Sequence, residues 1–208
     1  MNESPLQLVI LGDSLAYGTG AARPDHTLGA RMARVLDRAG HTVGVHVLAV
    51  PGATSPELAA QVDAALPLHA DIALVVVGAN DLARFIPSAQ SAAALAAAVR
   101  SLRSAGAAVV VAPAPDLSCV PGVPSALRPA LRTACHELQR RQAGAAEAAG
   151  AVVAPIAQQL ADAFTNEPEL FSADRYHPSS AGYARIAAAL APHVVAAARE
   201  ADLRRAAA

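Results

Sequence analysis

A serine near the beginning of the chain and a histidine near its end are residue types that could carry out nucleophilic chemistry. Ser14 lies in the glycine-containing segment Gly12–Gly18, directly after a short apolar run. Of the seven histidines, His177 stands apart because Asp174 precedes it by three residues. A carboxylate at that distance can hold one ring nitrogen, so that the other ring nitrogen takes the proton of a serine hydroxyl. The pair predicts acyl transfer on Ser14.

Each of these segments also has an ordinary structural interpretation. An Asp-Ser pair after a strand is often a helix cap, and Asp174–Pro178 taken alone reads as a surface turn. Pro178 favours the catalytic interpretation, because a residue that precedes proline tends to be extended. His177 is therefore expected in a loop ahead of the last helix.

Acyl transfer also needs hydrogen-bond donors aimed at the oxygen that becomes negative in the tetrahedral intermediate. Gly52, in Pro51–Thr54, offers an unobstructed backbone N–H, and Asn80, in Gly78–Asp81, offers a side-chain amide. Both follow apolar runs, although each would also be an ordinary turn residue. Asp81 is predicted to be structural, as a local cap or turn acceptor.

The elements that must position these residues alternate along the chain. The apolar runs predicted as strands are Leu6–Leu11, Val43–Val50, Ile72–Val77, Ala107–Ala112 and Ala151–Ala154. Helices predicted to end at a glycine are Leu28–Ala39, Ser88–Ala105 and Ser125–Ala149, and further helix starts are predicted at Ser55 and at Ser179 or Ser180. Nearly continuous apolar runs are typical of parallel strands covered on both faces. The pattern predicts an α/β fold with an open parallel sheet, whose carboxyl edge gathers the loops named above.

Length and charge restrict the class of protein. The 208 residues, with no composition break, predict a single domain over 1–208. The formal net charge is −1, with 16 basic residues against 17 acidic ones, so that a basic surface for nucleic acid is not expected.

The sequence also bears on targeting and on the redox state of the cysteines. No positive charge precedes the apolar run Leu8–Leu11, and no uninterrupted apolar stretch approaches the roughly 20 residues of a membrane span. We therefore expect a cytoplasmic protein with no membrane span. Cys119 and Cys135 are expected to be thiols in that compartment, although a disulfide between them remains open.

The motifs together resemble the sequence blocks of the SGNH (GDSL) hydrolase family, in the family's order. Gly12–Leu15 is similar to its first block, Gly52 to its second, Gly78–Asp81 to its third and Asp174–His177 to its last. The resemblance implies a three-layer α/β/α, flavodoxin-like fold with a five-stranded sheet and ester hydrolysis without a metal or organic cofactor. It also implies a triad of Ser14, Asp174 and His177.

By the same resemblance, the Ser14 N–H, the Gly52 N–H and the Asn80 amide form the oxyanion site. The segment around Ser14, residues 12–16, differs from the nucleophile elbow of α/β-hydrolases. Ala16 occupies the position at which the motif G-x-S-x-G has its second glycine. The partner implied is a small ester substrate.

The walls of a substrate site are less evident from sequence. The three residues that follow the Asn80 turn are candidate substrate-binding residues: Arg84, Phe85 and Ile86. Among them, Arg84 is the candidate for binding an anionic group of the substrate. The proline-rich stretch Pro113–Pro124 is a second candidate wall. Either segment could equally be a plain connection.

Other functions remain open at this point. The same triad would serve an acyltransferase or a deacylase of carbohydrates or lysophospholipids. A non-catalytic ligand-binding protein, or a module that binds phosphate or flavin at the Gly12–Gly20 turn, would use the same fold. Against a phosphate site, that turn lacks the glycine patterns of nucleotide-binding loops. The natural ester, its chain length and the oligomeric state are not determined by these patterns.

Overall fold

A computed structural model describes residues 4–207. The strands are β1 (Leu6–Gly12), β2 (Val43–Val47), β3 (Ile72–Val76), β4 (Ala108–Ala112) and β5 (Val152–Val153). The α-helices are α1 (Ser14–Tyr17), α2 (Leu28–Arg38), α3 (Leu58–Ala65), α4 (Ala79–Ala83), α5 (Ser88–Ser104), α6 (Arg128–Ala148), α7 (Ile156–Asn166) and α8 (Ser180–Ala207). Strands and helices alternate, as the sequence pattern predicts.

The strands form one parallel sheet in the order β2-β1-β3-β4-β5. Strand β1 lies between β2 and β3, with Leu8 paired to Val45 on one side and to Ile72 on the other. This is the strand order of flavodoxin-like folds, in which ligands bind at the carboxyl ends of the strands, where the order reverses. The predicted α/β fold with five parallel strands is confirmed, and the reversal lies between β1 and β3.

Two strands are shorter than the sequence predicts by two or more residues. The β2 run was expected to reach Val50, but the strand ends at Val47, although Leu48 and Val50 still donate backbone hydrogen bonds to β1. Strand β5 contains only Val152–Val153 and pairs with β4 alone, at one edge of the sheet. Apolar composition therefore locates these strands but does not set their ends, which depend on pairing.

Helices cover both faces of the sheet. On β1, Leu8 and Ile10 are fully buried against α2 and α8. The alternate residues Val9 and Leu11 are fully buried against α3 and α5. Each such side chain stabilises the fold by about 1.5–3 kcal/mol relative to an exposed position. The three layers explain why the strands are apolar without alternation.

Helix α8 differs from the other helices in its length and apolar composition. Among the residues described, it alone is long and apolar enough to cross a membrane by those criteria, with 28 residues and a mean hydropathy of 1.2 in its most apolar window. In this fold its buried residues, which include Tyr183, Leu190 and Val194, pack on the sheet and on α2. Core helices of globular proteins also meet these criteria.

Candidate active site

The three residues predicted as a triad lie in one hydrogen-bonded row. The Ser14 hydroxyl is 3.0 Å from His177 Nε2, and His177 Nδ1 is 2.7 Å from Asp174 Oδ2. Ser14 begins α1 at the carboxyl end of β1, and the other two residues lie in the loop before α8. Residues separated by 163 positions in the sequence thus lie within hydrogen-bond distance. The arrangement allows the imidazole to take the serine proton while the carboxylate holds its far side.

The turn that presents Ser14 depends on the glycine before it. Gly12 has a φ of +136°, and a Cβ at this position would lie 1.8 Å from the carbonyl oxygen of Val76. Gln61 holds the same glycine from α3, accepting from its N–H at 2.7 Å and donating to its carbonyl at 2.9 Å. Because Gly12 has no side chain, the end of β1 can pack directly against β3. The chain then turns into α1.

Asp13 caps the short helix α1 and is almost fully buried, at 1% exposure. One carboxylate oxygen accepts from the Leu15 N–H at 3.0 Å, whereas Oδ2 has no hydrogen-bond partner among the described residues. Burial raises the pKa of this carboxyl to about 6, although backbone N–H groups, including those of Gly78 and Ala79, oppose the rise. A buried carboxylate thus lies directly beside the nucleophile, and the backbone N–H of the same residue donates to the Val76 carbonyl at the end of β3.

The histidine loop is organised by Asp174. Its Oδ1 accepts from the N–H groups of Tyr176 and His177 and from the Ser172 hydroxyl, at 2.8–2.9 Å. Partial desolvation would raise the pKa of Asp174, but the hydrogen bonds from His177 and from the two backbone N–H groups outweigh it and hold the pKa well below its usual range. The carboxylate therefore stays ionised and can stabilise an imidazolium at His177.

Two further contacts anchor the ends of this loop. Phe171 and Pro178 form an isolated antiparallel bridge, which closes the loop at its base. The Ser179 hydroxyl accepts from the Gly182 N–H at 3.2 Å and donates to the Glu169 carbonyl, so that Ser179 caps α8. Of the two serines predicted as candidates for this cap, the structure selects Ser179. These contacts join the histidine loop to α8, which packs on one face of the sheet.

The two predicted oxyanion donors lie on the strands that flank β1. Gly52 follows β2, and its φ of +85° is in the region that favours glycine. Asn80 follows β3 and donates from Nδ2 to the carbonyl of Ala53 at 3.0 Å, which ties it to the Gly52 turn. The second N–H of that amide is left for another acceptor. Because β1 lies between β2 and β3, the turns that carry both donors flank the turn that carries Ser14.

Asp81 has the structural position predicted for it, and it connects three segments. Its buried carboxylate accepts from the N–H and the hydroxyl of Ser55 at 3.1–3.2 Å and from the Ser91 hydroxyl at 2.7 Å. A helical turn begins at Ser55, as predicted, but the Ser55 side chain does not cap it. The capping box is formed by Thr54 and Glu57 instead. These contacts hold the Asn80 turn against the loop that follows β2.

We expect Asp81→Ala to lower the free energy of unfolding by about 3 kcal/mol, because it leaves buried donors without an acceptor. Urea denaturation followed by circular dichroism would measure the change. Asp63→Ala is the matched control, since Asp63 is exposed on α3. A loss in Asp81→Ala no larger than that in the control would show that the network does not stabilise the fold.

A cavity of about 90 Å³ opens beside Ser14 and His177. Its walls come from the proline-rich stretch after β4, in which Pro113–Val120 contributes, and from the inner side of α7. One of the two predicted walls therefore borders the catalytic residues. The helix α7 was not identified from sequence, although its spacing of Ile156, Leu160 and Phe164 is the four-residue repeat of an apolar helix face.

The segment Arg84–Ile86, predicted to bind substrate, does not line the cavity beside Ser14. The Arg84 guanidinium donates to the Gly52 carbonyl at 2.9 Å, and the Phe85 side chain is 91% exposed. Phe85 and Ile86 line a separate depression between the start of α5 and α6. The reason is local backbone geometry, because Phe85 has a φ of +54°, which turns the chain away from the Ser14 cavity as α4 ends. Beside Ser14 the cavity wall is therefore formed by α7 and not by Arg84–Ile86, of which Arg84 contacts the Gly52 turn.

The two cysteines are free thiols in this structure. Cys119 borders the cavity and donates from Sγ to the Asp116 carbonyl, and Cys135 accepts from the Leu117 N–H. Burial raises the pKa of Cys119 to about 12 and that of Cys135 to about 11. Neither thiol is therefore ionised near neutral pH. Within residues 4–207 no group of three potential metal ligands comes together.

Comparison with known proteins agrees with this geometry. Residues 10–185 match the family model of GDSL-like lipases and acylhydrolases. A GDSL-like esterase of Mycobacterium tuberculosis is 41% identical over 183 residues, which is 86% of this chain but 58% of that relative. The chain thus spans a little over half the length of this curated relative.

Solved structures show the same fold at low sequence identity. A lipase/acylhydrolase from Enterococcus faecalis has a TM-score of 0.72 at 22% identity, covering 92% of this chain and 96% of that one. An acetylxylan esterase from Geobacillus stearothermophilus has a TM-score of 0.74 at 18% identity, with 92% and 94% covered. The matched region contains Ser14, Gly52, Asn80, Asp174 and His177, and the chain therefore belongs to the GDSL-like lipase/acylhydrolase family.

Proposed function

We propose that this protein hydrolyses carboxylic esters through an acyl-enzyme on Ser14. The observation that carries the proposal is the row of hydrogen bonds from Asp174 through His177 to the Ser14 hydroxyl. His177 takes the hydroxyl proton as Ser14 Oγ attacks the ester carbonyl, and it then protonates the departing alcohol. Water repeats the two steps on the acyl-serine and releases the acid. Asp174 stays ionised throughout, which its lowered pKa favours.

The negative oxygen of each tetrahedral intermediate would be stabilised by fixed donors. These are the backbone N–H groups of Ser14 and Gly52 and the free N–H of the Asn80 amide. Donors held in place before the reaction stabilise charge without reorganisation, which is why they have large effects. The Ala53 carbonyl, which accepts from Asn80, restricts the amide to one orientation.

Covalent labelling tests whether Ser14 is an activated nucleophile. An alkyl fluorophosphonate should attach to one serine within minutes, and mass spectrometry of a digest should place the adduct on Ser14. His177→Ala should slow labelling at least a hundredfold, because the general base is lost. Equal labelling of Ser14 in the wild type and in His177→Ala, or an adduct on another serine, would contradict the proposal.

We expect Asn80→Ala to lower kcat for a nitrophenyl ester by about a hundred- to a thousandfold, because one oxyanion donor is removed. KM should change little, since the donor acts mainly on the transition state. Steady-state kinetics would measure both constants. Asn166→Ala, an exposed change at the end of α7, is the matched control. A fall of less than tenfold in Asn80→Ala would remove Asn80 from the oxyanion site.

A further inference from the structure

The cavity beside Ser14 is lined almost entirely by carbon. Its walls include Leu117, Val120, Ile156, Leu160, Phe164 and Phe171. It extends inward from the catalytic serine to side chains of the core, where Val76, Ile156 and Ile186 are at most 6% exposed. A pocket of this kind binds alkyl groups through burial of apolar surface.

Most of the polar groups near this cavity form hydrogen bonds with one another. Asp116 Oδ1 accepts from the Ser118 N–H at 2.9 Å, and Cys119 donates to the Asp116 carbonyl at 2.8 Å. Asp13 Oδ2 is unpartnered, and it lies next to the nucleophile. A sugar ring would leave most of its hydroxyl groups without partners in this cavity, which costs free energy on burial.

We propose that this cavity is the acyl pocket and that it binds an aliphatic chain several methylenes long. The inference rests on the proposed ester hydrolysis at Ser14, and it names the acyl group that this reaction would transfer. An acetyl group would leave the walls on α7 and on the Pro113–Val120 stretch without contacts. A longer chain removes these apolar walls from water.

The extension of the cavity from Ser14 toward the core favours the acyl part of the ester over the alcohol part. The acyl group stays bound to Ser14 through both steps, whereas the alcohol must leave after the first. The outer side of the triad is open to solvent, because the side chain of Asp174 is 46% exposed. The alcohol therefore has an exit beside this end of the triad, while the chain occupies the inner part of the cavity, toward the core.

The expected selectivity follows from methylene burial. Each methylene that enters the pocket should raise kcat/KM by up to about fourfold, until the chain reaches the core side chains. The increase should come from acyl length and not from alcohol length. Nitrophenyl esters from acetyl to decanoyl keep one leaving group and vary the acyl chain alone. Acetyl esters of butanol, hexanol and octanol vary the alcohol alone.

Two phenylalanine substitutions on opposite sides of α7 test the location. Ala161 lines the cavity, and Ala161→Phe should shorten the preferred chain, lowering kcat/KM for octanoyl at least tenfold while acetyl changes less than threefold. Gln159 is exposed on the same helix, so that Gln159→Phe adds the same ring outside the cavity and should leave the profile unchanged. Leu160→Ala enlarges the cavity and should move the optimum to longer chains.

The outcomes separate this inference from the proposed function. A profile that rises with acyl length and is shortened by Ala161→Phe but not by Gln159→Phe supports the acyl pocket. Rates that fall steadily from acetyl, that depend on alcohol length instead, or that respond equally to both phenylalanine variants would overturn it. Absence of hydrolysis of every ester, together with absence of phosphonate labelling at Ser14, would instead overturn the proposed function.

Discussion

Replacing Ser14 by alanine is expected to lower kcat for a nitrophenyl ester by four or more orders of magnitude. The change removes the atom that would form the acyl-enzyme, and no other side chain of the row can replace it. His177 Nε2 loses its partner at 3.0 Å, while its contact with Asp174 on the other ring nitrogen is independent of the substitution. The variant should therefore keep its fold and its ability to bind ester.

The measurement is steady-state hydrolysis by enzyme purified without contact with wild-type material, together with circular dichroism to confirm folding. Ser125→Ala is the matched control, because Ser125 is exposed at the start of a 3₁₀ turn. Residual catalysis over water can persist through the oxyanion donors and substrate binding alone. Near-normal turnover by a folded Ser14→Ala protein would refute Ser14 as the nucleophile.

Replacing Asp174 by asparagine is expected to lower kcat by about a thousand- to ten-thousandfold, the range seen for the same change in serine proteases. The amide keeps an oxygen that can accept from the Tyr176 and His177 N–H groups, so that the loop should persist. It loses the negative charge that stabilises the imidazolium, and it no longer determines which ring nitrogen carries the proton.

The pH dependence of this variant gives an independent check. Because hydrogen bonds hold the pKa of Asp174 below its usual range, the carboxylate is ionised above that range and would be protonated only under strong acid. The ratio of wild-type to Asp174→Asn activity should therefore stay far above one from about pH 5 to about pH 8. Asp37→Asn, an exposed change on α2, should have wild-type activity. A ratio that collapses towards one at the acidic end would show that Asp174 titrates there.

The triad could be identified from sequence because two local patterns coincide with one rule of topology and together resemble the sequence blocks of a known family. Ser14 follows a buried run, and Asp174 and His177 have the spacing of a loop in which a carboxylate holds a ring. Parallel strands end at a common edge, and so polar residues after successive strands are brought together without knowledge of the coordinates. For the same reason Gly52 and Asn80 could be placed on the strands beside β1.

The substrate wall could not be located in this way. Arg84, Phe85 and Ile86 are close to Asn80 in sequence, yet the positive φ of Phe85 and the contact of Arg84 with Gly52 direct them away from the cavity. Helix α7 borders the cavity only because the loop after β5 leads it across the carboxyl edge of the sheet. Distance in sequence is a poor guide to such walls, since the direction of a side chain depends on the turn before it.

The sequence by itself determined the class of fold, the order of its elements and the residues able to carry out acyl transfer, because hydrophobic periodicity and motif spacing are local properties. Only the tertiary structure decided which surfaces meet Ser14, how far β2 and β5 extend, and that Asp13 is buried with a raised pKa. These features depend on packing between segments distant in the chain. Packing is set by side-chain shape and backbone dihedral angles, which residue types alone do not specify.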